Sequence, residues 1–344
     1  MRAMRIEIIT PAPPKSRHGN RVTALRWARM LKALGHQVVV SQAHEGGRYD
    51  LLVALHARRS HSSIIRFRQE QAQTPIIVAL TGTDLYGDLQ RQAEALSSLE
   101  MATRIVILQP LGMEELPVRL HHKVRVIHQS VADERGGADH HHQRESALPD
   151  FISGAGSPRP TFDVCVIGHL RPVKDPFRAA LASRLLPPSS RIRVLHIGGA
   201  MSDEMAEQAR AELEINPRYL WLDEQSRSRT RRILMQSRLC VLSSRSEGGA
   251  NVLSEAIVAS VPVVASRIPG TVGILGSDYP GYFEVGDTHE LAQYLIRAET
   301  DPNFLDLLRS WGERVRSLFE PTREQKAWAD LLDEIAVTEG GLST

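Results

Sequence analysis

Ser244-Arg245-Ser246-Glu247-Gly248-Gly249-Ala250-Asn251-Val252-Leu253-Ser254-Glu255-Ala256 places two carboxylates and a Gly-Gly turn between an apolar run and a helix-like run. Leu239 to Ser243 reads as a short buried strand, Gly248-Gly249 as the turn, and Asn251 to Ala259 as a helix. The first amides of such a helix face whatever the turn encloses, and they favour an anion such as a diphosphate. Glu247 lies in the turn, whereas Glu255 follows about two helical turns later. The two carboxylates are therefore expected to grip different parts of one elongated ligand, one the hydroxyls of a sugar and the other those of a ribose. Gly248, Gly249, Ala250, Asn251 and Val252 complete this expected donor loop.

The rest of the chain suits a small anionic ligand better than a polymer. Its 344 residues are 42% hydrophobic and 24% charged, which fits two domains or one large α/β unit with a sizeable core. A net charge of +2 argues against a surface that coats nucleic acid, while local basic clusters can still hold small anions. Cys165 and Cys240 both fall in apolar strand-like runs, as buried thiols in a reducing compartment would. The run Ile6 to Ile9 is too short for a signal segment, and no later run reaches membrane-spanning length without a charge. The expectation is a cytoplasmic protein with neither a membrane nor a nucleic-acid partner.

Strand-like runs at Ile6 to Ile9, Val38 to Val40, Leu51 to Leu55, Ile76 to Leu80, Ile105 to Leu108 and Val124 to Ile127 alternate with helix-like segments. That alternation is the pattern of a parallel sheet wrapped by helices. Between Ala132 and Pro160 it dissolves into Gly, Pro, Ser, Asp and His, too poor in apolar residues to pack. Strand signals resume at Val164 to Ile167, Val194 to Ile197, Tyr219 to Leu222, Leu239 to Leu242, Val261 to Ala265 and Tyr282 to Val285. The expected organisation is a Rossmann-like domain over 1–131, a linker and exposed loop over 132–160, a second Rossmann-like domain over 161–318, and a helical segment over 319–344.

Loops at the carboxyl ends of parallel strands are where open α/β sheets bind ligands. Gly168-His169-Leu170-Arg171-Pro172-Val173-Lys174-Asp175-Pro176 is one such loop, and Arg171 and Lys174 are its candidate cations for a diphosphate. A departing nucleoside diphosphate gains negative charge in the transition state, so fixed cations and helix-start amides would lower the barrier without a metal. Three first-domain loops are the matching candidates on the acceptor side. They are Lys15, Arg17, Gly19, Asn20 and Arg21 after the first strand; His56, Arg58 and Arg59 after the third; and Thr81, Gly82, Thr83 and Asp84 after the fourth. The cluster Lys15, Arg17, Arg21, Arg58 and Arg59 would suit a compact, multiply charged acceptor, because guanidinium forks match phosphate oxygens.

Glu247-Gly248-Gly249 through Glu255-Ala256, followed by Val261-Pro262-Val263-Val264-Ala265-Ser266 and Gly270, resembles the signature of glycosyltransferase family 4. The resemblance implies the GT-B fold, two facing Rossmann-like doubly wound domains with the reaction in the cleft between them. It also implies a UDP-sugar as donor substrate, no cofactor or metal, and a last helix that crosses back to the first domain. The family's diphosphate Arg follows directly on the glycine, where this chain has His169, so Arg171 and His169 both stay open for that role. Relatives that glycosylate hydroxyls carry a His where Thr81 stands. A base is needed mainly for a nucleophile that is weak at its own pKa, and an already ionised acceptor needs none.

The first-domain loops, together with Gly168 to Pro176, resemble the selenosugar-forming branch of that family. What this implies is transfer from UDP-N-acetylglucosamine to selenophosphate, a step of selenoneine biosynthesis. Two other readings compete: a family 4 transferase with a hydroxyl or thiol acceptor, and a non-catalytic nucleotide-sugar-binding protein. Asp139-His140-His141-His142-Gln143 is set aside as a metal site, because three adjacent His on an unpatterned segment cannot all face one ion with a fixed second shell. Arg227, Arg229, Arg231 and Arg232 read as the solvated side of a helix.

Overall fold

The computed structural model describes residues 2–14, 16, 19–82, 84–89, 92–131 and 161–340. The run Asp139 to Gln143 and the whole segment 132–160 lie outside the described residues.

Six short strands, β1 (Arg5–Ile9), β2 (Gln37–Ser41), β3 (Leu51–Leu55), β4 (Ile76–Leu80), β5 (Arg104–Ile107) and β6 (Val124–Val126), form one parallel sheet in the order β2-β1-β3-β4-β5-β6. Every residue of β3 (LLVAL) and β4 (IIVAL) is buried, as expected of strands covered by helices on both faces. Helix α1 (Gly19–Ala33) covers one face with Thr23, Ala24, Trp27, Ala28 and Leu31. It stops at Gly35, whose left-handed φ of 92° lets the His36 amide reach back to the Leu31 carbonyl at 3.1 Å. The other face takes α2 (His61–Glu70) and α3 (Ala93–Met101).

The second sheet contains β7 (Phe162–Ile167), β8 (Ile192–Ile197), β9 (Tyr219–Trp221), β10 (Leu239–Leu242), β11 (Val263–Ser266) and β12 (Tyr282–Phe283), ordered β12-β11-β10-β7-β8-β9. Read from β9 this is the doubly wound order 3-2-1-4-5-6. Its helices are α4 (Arg178–Ser183), α5 (Asp203–Ile215), α6 (Arg227–Gln236), α7 (Asn251–Val258), α8 (Pro269–Leu275), α9 (Thr288–Thr300) and α10 (Pro302–Val315). The fold is α/β with the two-sheet GT-B architecture. Strand β11 begins two residues later than the apolar pattern suggests. The Val261 amide is spent closing α7 onto the Ala256 carbonyl at 2.9 Å, after Ser260 turns the chain at φ 57°.

Helix α11 (Pro321–Gly340) leaves the second sheet and packs on the first. Trp328 meets Trp27 edge to face at 4.9 Å, with Leu331, Leu332 and Ile335 in the same core. Glu324, 1% exposed, accepts from Trp27 Nε1 at 2.7 Å and from the Ser130 amide at 2.8 Å, and pairs with Arg26 at 3.3 Å. Each sheet has one point where its winding reverses, between β1 and β3 in the first and between β7 and β10 in the second. Ligands of such sheets sit outside the carboxyl ends of the strands at these points.

Candidate active site

The loops leaving β1, β3, β4, β7 and β10 line one cleft of about 380 Å³. A wider surface depression of about 750 Å³, between α4 and α9, shares none of those loops.

On the second-domain side, Gly168 continues the sheet through its amide to the Ile197 carbonyl at 2.9 Å. Its own carbonyl lies 3.1 Å from Nε2 of His196, whose Nδ1 is 3.0 Å from the Tyr219 hydroxyl. A carbonyl can only accept, so Nε2 carries the proton and the tyrosine donates to Nδ1. Burial holds the His196 pKa down to about 4, so the native state keeps it neutral while the unfolded chain protonates near the ordinary value. The unfolded state thus binds the extra proton between about pH 6.5 and 4, and stability falls as pH falls through that window by up to about 3 kcal/mol. Urea unfolding at pH 7.0, 5.5 and 4.5 checks this. His196→Asn should flatten the slope, and an unchanged slope would remove His196 as its source.

The chain then turns through Pro172–Lys174, with Asp175 left-handed at φ 45°. Lys174 Nζ pairs with the Glu247 carboxylate, and Ser244 Oγ donates to the same Oε1 at 2.6 Å. The Arg245 amide reaches the Val173 carbonyl at 2.8 Å, and Ser243 Oγ donates to the Asp175 carbonyl at 3.0 Å. These bonds make the β7 and β10 loops one unit. Ala250, left-handed at φ 35°, delivers the chain into α7 at Asn251; such strain in a residue with a Cβ persists only where the surroundings enforce it.

On the first-domain side, Gly19, Asn20 and Thr23 come from the first turns of α1, and Pro11 and Ala12 from the β1 loop. Thr81 Oγ1 donates to Asn20 Oδ1 at 2.8 Å, and Gln129 Nε2 to Thr23 Oγ1 at 2.8 Å. Asp84 is completely buried and accepts from the Ala57 amide at 3.1 Å and the Gly82 amide at 3.0 Å. It therefore ties the β3 and β4 loops to each other. His56, left-handed at φ 74°, places Nδ1 3.9 Å from Asp84 Oδ2 and 3.4 Å from the Arg59 amide.

The cleft brings together Lys174, Arg171, Glu247, Gly168, Gly249, Ala250, Asn251 and Val252 with Gly19, Asn20, His56, Arg59, Thr81, Gly82 and Asp84. Gly248, Arg21, Arg58 and Glu255 are not among its lining residues. Lys15, Arg17 and Thr83 lie outside the described residues. Arg171 and His169 both line the cleft, but His169 Nδ1 already accepts the Gly199 amide at 3.2 Å. Burial raises the Glu255 pKa, opposed by Arg227, Arg26 and Arg231. Of the arginine run, Arg227 is exposed and Arg229, Arg231 and Arg232 are half-buried. Sequence reasoning missed Met201, which carries no motif and is brought to the cleft by the topology alone.

Residues 151–318 match the family described as glycosyl transferases group 1. The N-acetyl-alpha-D-glucosaminyl L-malate synthase of Bacillus anthracis is 34% identical over 116 residues, which span 33% of this chain and 29% of that protein. Anabaena HepE, solved in complex with UDP, superposes with a TM-score of 0.70 at 15% identity, covering 96% of this chain and all of that one. Sucrose-phosphate synthase from Thermosynechococcus elongatus gives a TM-score of 0.73 at 15% identity, covering 97% and 99% of the two chains. At such identities these two structures establish the GT-B fold.

Proposed function

We propose that the protein is a glycosyltransferase that moves a sugar from a UDP-sugar to a compact anion, with UDP-N-acetylglucosamine as donor and selenophosphate as acceptor, as in selenosugar synthases. The observation that carries the acceptor half is the state of its polar groups. Thr81 stands where a base would be and donates to Asn20, and Asp84 is consumed by two backbone amides. His56 Nδ1 faces both the Arg59 amide at 3.4 Å and Asp84 Oδ2 at 3.9 Å, which joins its ring to the same polar group.

In the reaction the bond between sugar C1 and the β-phosphate oxygen breaks, and UDP leaves with the electron pair. A selenium lone pair forms the new bond to C1. The nucleophile arrives ionised, so no proton has to be removed from it. Water then cleaves the phosphorus–selenium bond, giving inorganic phosphate and the 1-seleno sugar. Lys174 and the amides at the start of α7 balance the charge that builds on the leaving diphosphate, and Glu247, held by Lys174 and Ser244, is placed to accept from sugar hydroxyls.

The name of the Bacillus relative favours a second reading, in which the acceptor is a small hydroxy acid. UDP release from UDP-N-acetylglucosamine, measured alone, with selenophosphate and with L-malate, separates the two. Selenophosphate-dependent release with a seleno-sugar mass is the expected result. Release that responds only to malate would move the assignment to a hydroxyl acceptor, and UDP-sugar binding without any release would point to a non-catalytic binder.

A further inference from the structure

We infer that Gly248 is a positioning residue that seats the acceptor loop against the donor loop and so sets the distance across which the sugar moves. The inference rests on the transferase reading above. A Cβ built on Gly248 would lie 2.7 Å from the Gly82 nitrogen and 2.7 Å from the Thr81 carbonyl carbon. Both are backbone atoms of the opposite domain, so no side chain can swing aside. The β4 loop cannot easily retreat either, because the Gly82 amide is bonded to the buried Asp84, which also holds the Ala57 amide.

The same seat has two further points. A Cβ on Gly249 would come within 2.7 Å of the Leu108 Cβ, and one on Gly273 in α8 within 1.7 Å of Gln109 Oε1. Gln109 is completely buried, with Oε1 accepting from the Leu111 amide at 2.7 Å and Nε2 donating to the Tyr86 hydroxyl at 2.6 Å. Three glycines of the second domain thus meet three fixed positions of the first, and Gly248 is the one adjacent to Glu247. A side chain at that point forces the domains apart. Reacting atoms must approach to about 3–3.5 Å, and a misplacement of about 1 Å can cost on the order of 100-fold in rate.

The test compares wild type, Gly248→Ala and Gly273→Ala in the full chain. UDP binding is followed by calorimetry, acceptor-dependent UDP release by steady-state kinetics, and amide exchange by mass spectrometry of peptides covering 78–89 and 105–113. The expected result is a UDP Kd within about threefold of wild type in both variants. kcat should fall roughly 10- to 100-fold in Gly248→Ala and in the same direction in Gly273→Ala, with faster exchange in both peptides. Loss of UDP binding in Gly248→Ala alone would make the glycine a donor contact and overturn the inference, as would unchanged kcat and exchange. If wild type binds no UDP, the transferase reading fails instead, and the exchange comparison still decides the seat.

Discussion

Replacing Lys174 by Ala is expected to lower turnover of the UDP-sugar about 100- to 1,000-fold, equivalent to roughly 3–4 kcal/mol of lost transition-state stabilisation. Lys174 is the cation at the β7 end of the cleft that is paired directly with Glu247. Its backbone is held independently of its ammonium, since Ser243 Oγ donates to the Lys174 carbonyl at 3.2 Å and the Asp175 amide closes on Pro172 at 3.1 Å. The loop therefore keeps its course when the side chain is cut. In the proposed reaction the charge developing on the diphosphate would compete with Glu247 for the ammonium, so the loss is expected in the transition state more than in the ground state. Single-turnover rates at saturating donor read this separation. A Lys174→Ala rate within a factor of two of wild type would remove Lys174 from the chemistry.

Trp328→Ala is expected to destabilise the chain by about 3–5 kcal/mol, the range for truncating a fully buried aromatic. The indole is 0% exposed and lies edge to face on Trp27, itself 0% exposed. Its Nε1 has no hydrogen-bond partner among the described residues, so the loss is one of packing. Trp328→Phe should for that reason recover more than half of the deficit. Urea midpoints for the three proteins decide it, and a Trp328→Ala midpoint equal to wild type would show that the contact with α11 contributes nothing.

The architecture was legible because it rests on period and composition. Fully apolar runs such as LLVAL and IIVAL have one stable home, a parallel sheet covered on both faces. The second-domain wall of the cleft was legible because each of its two loops, Gly168 to Lys174 after β7 and Ser246 to Val252 after β10, is contiguous at a strand exit. Gly248 was read as part of the donor loop, since sequence shows where a glycine sits in the chain but not which backbone crosses it in space. Asp84 lines the cleft as its loop position suggests, but only the fold shows that its carboxylate accepts two amides 27 and 2 positions away.

Helix α11 also fixes an order of events during synthesis. The first sheet leaves the ribosome early, yet Trp27 and Ser130 find their shared partner only in Glu324, which for Trp27 is 297 positions later. The nascent first domain therefore lacks the Trp328 and Glu324 partners of Trp27 until the second domain has been made. Domains often fold one after another from the N-terminus as they are synthesised; here the domain begun first is finished last.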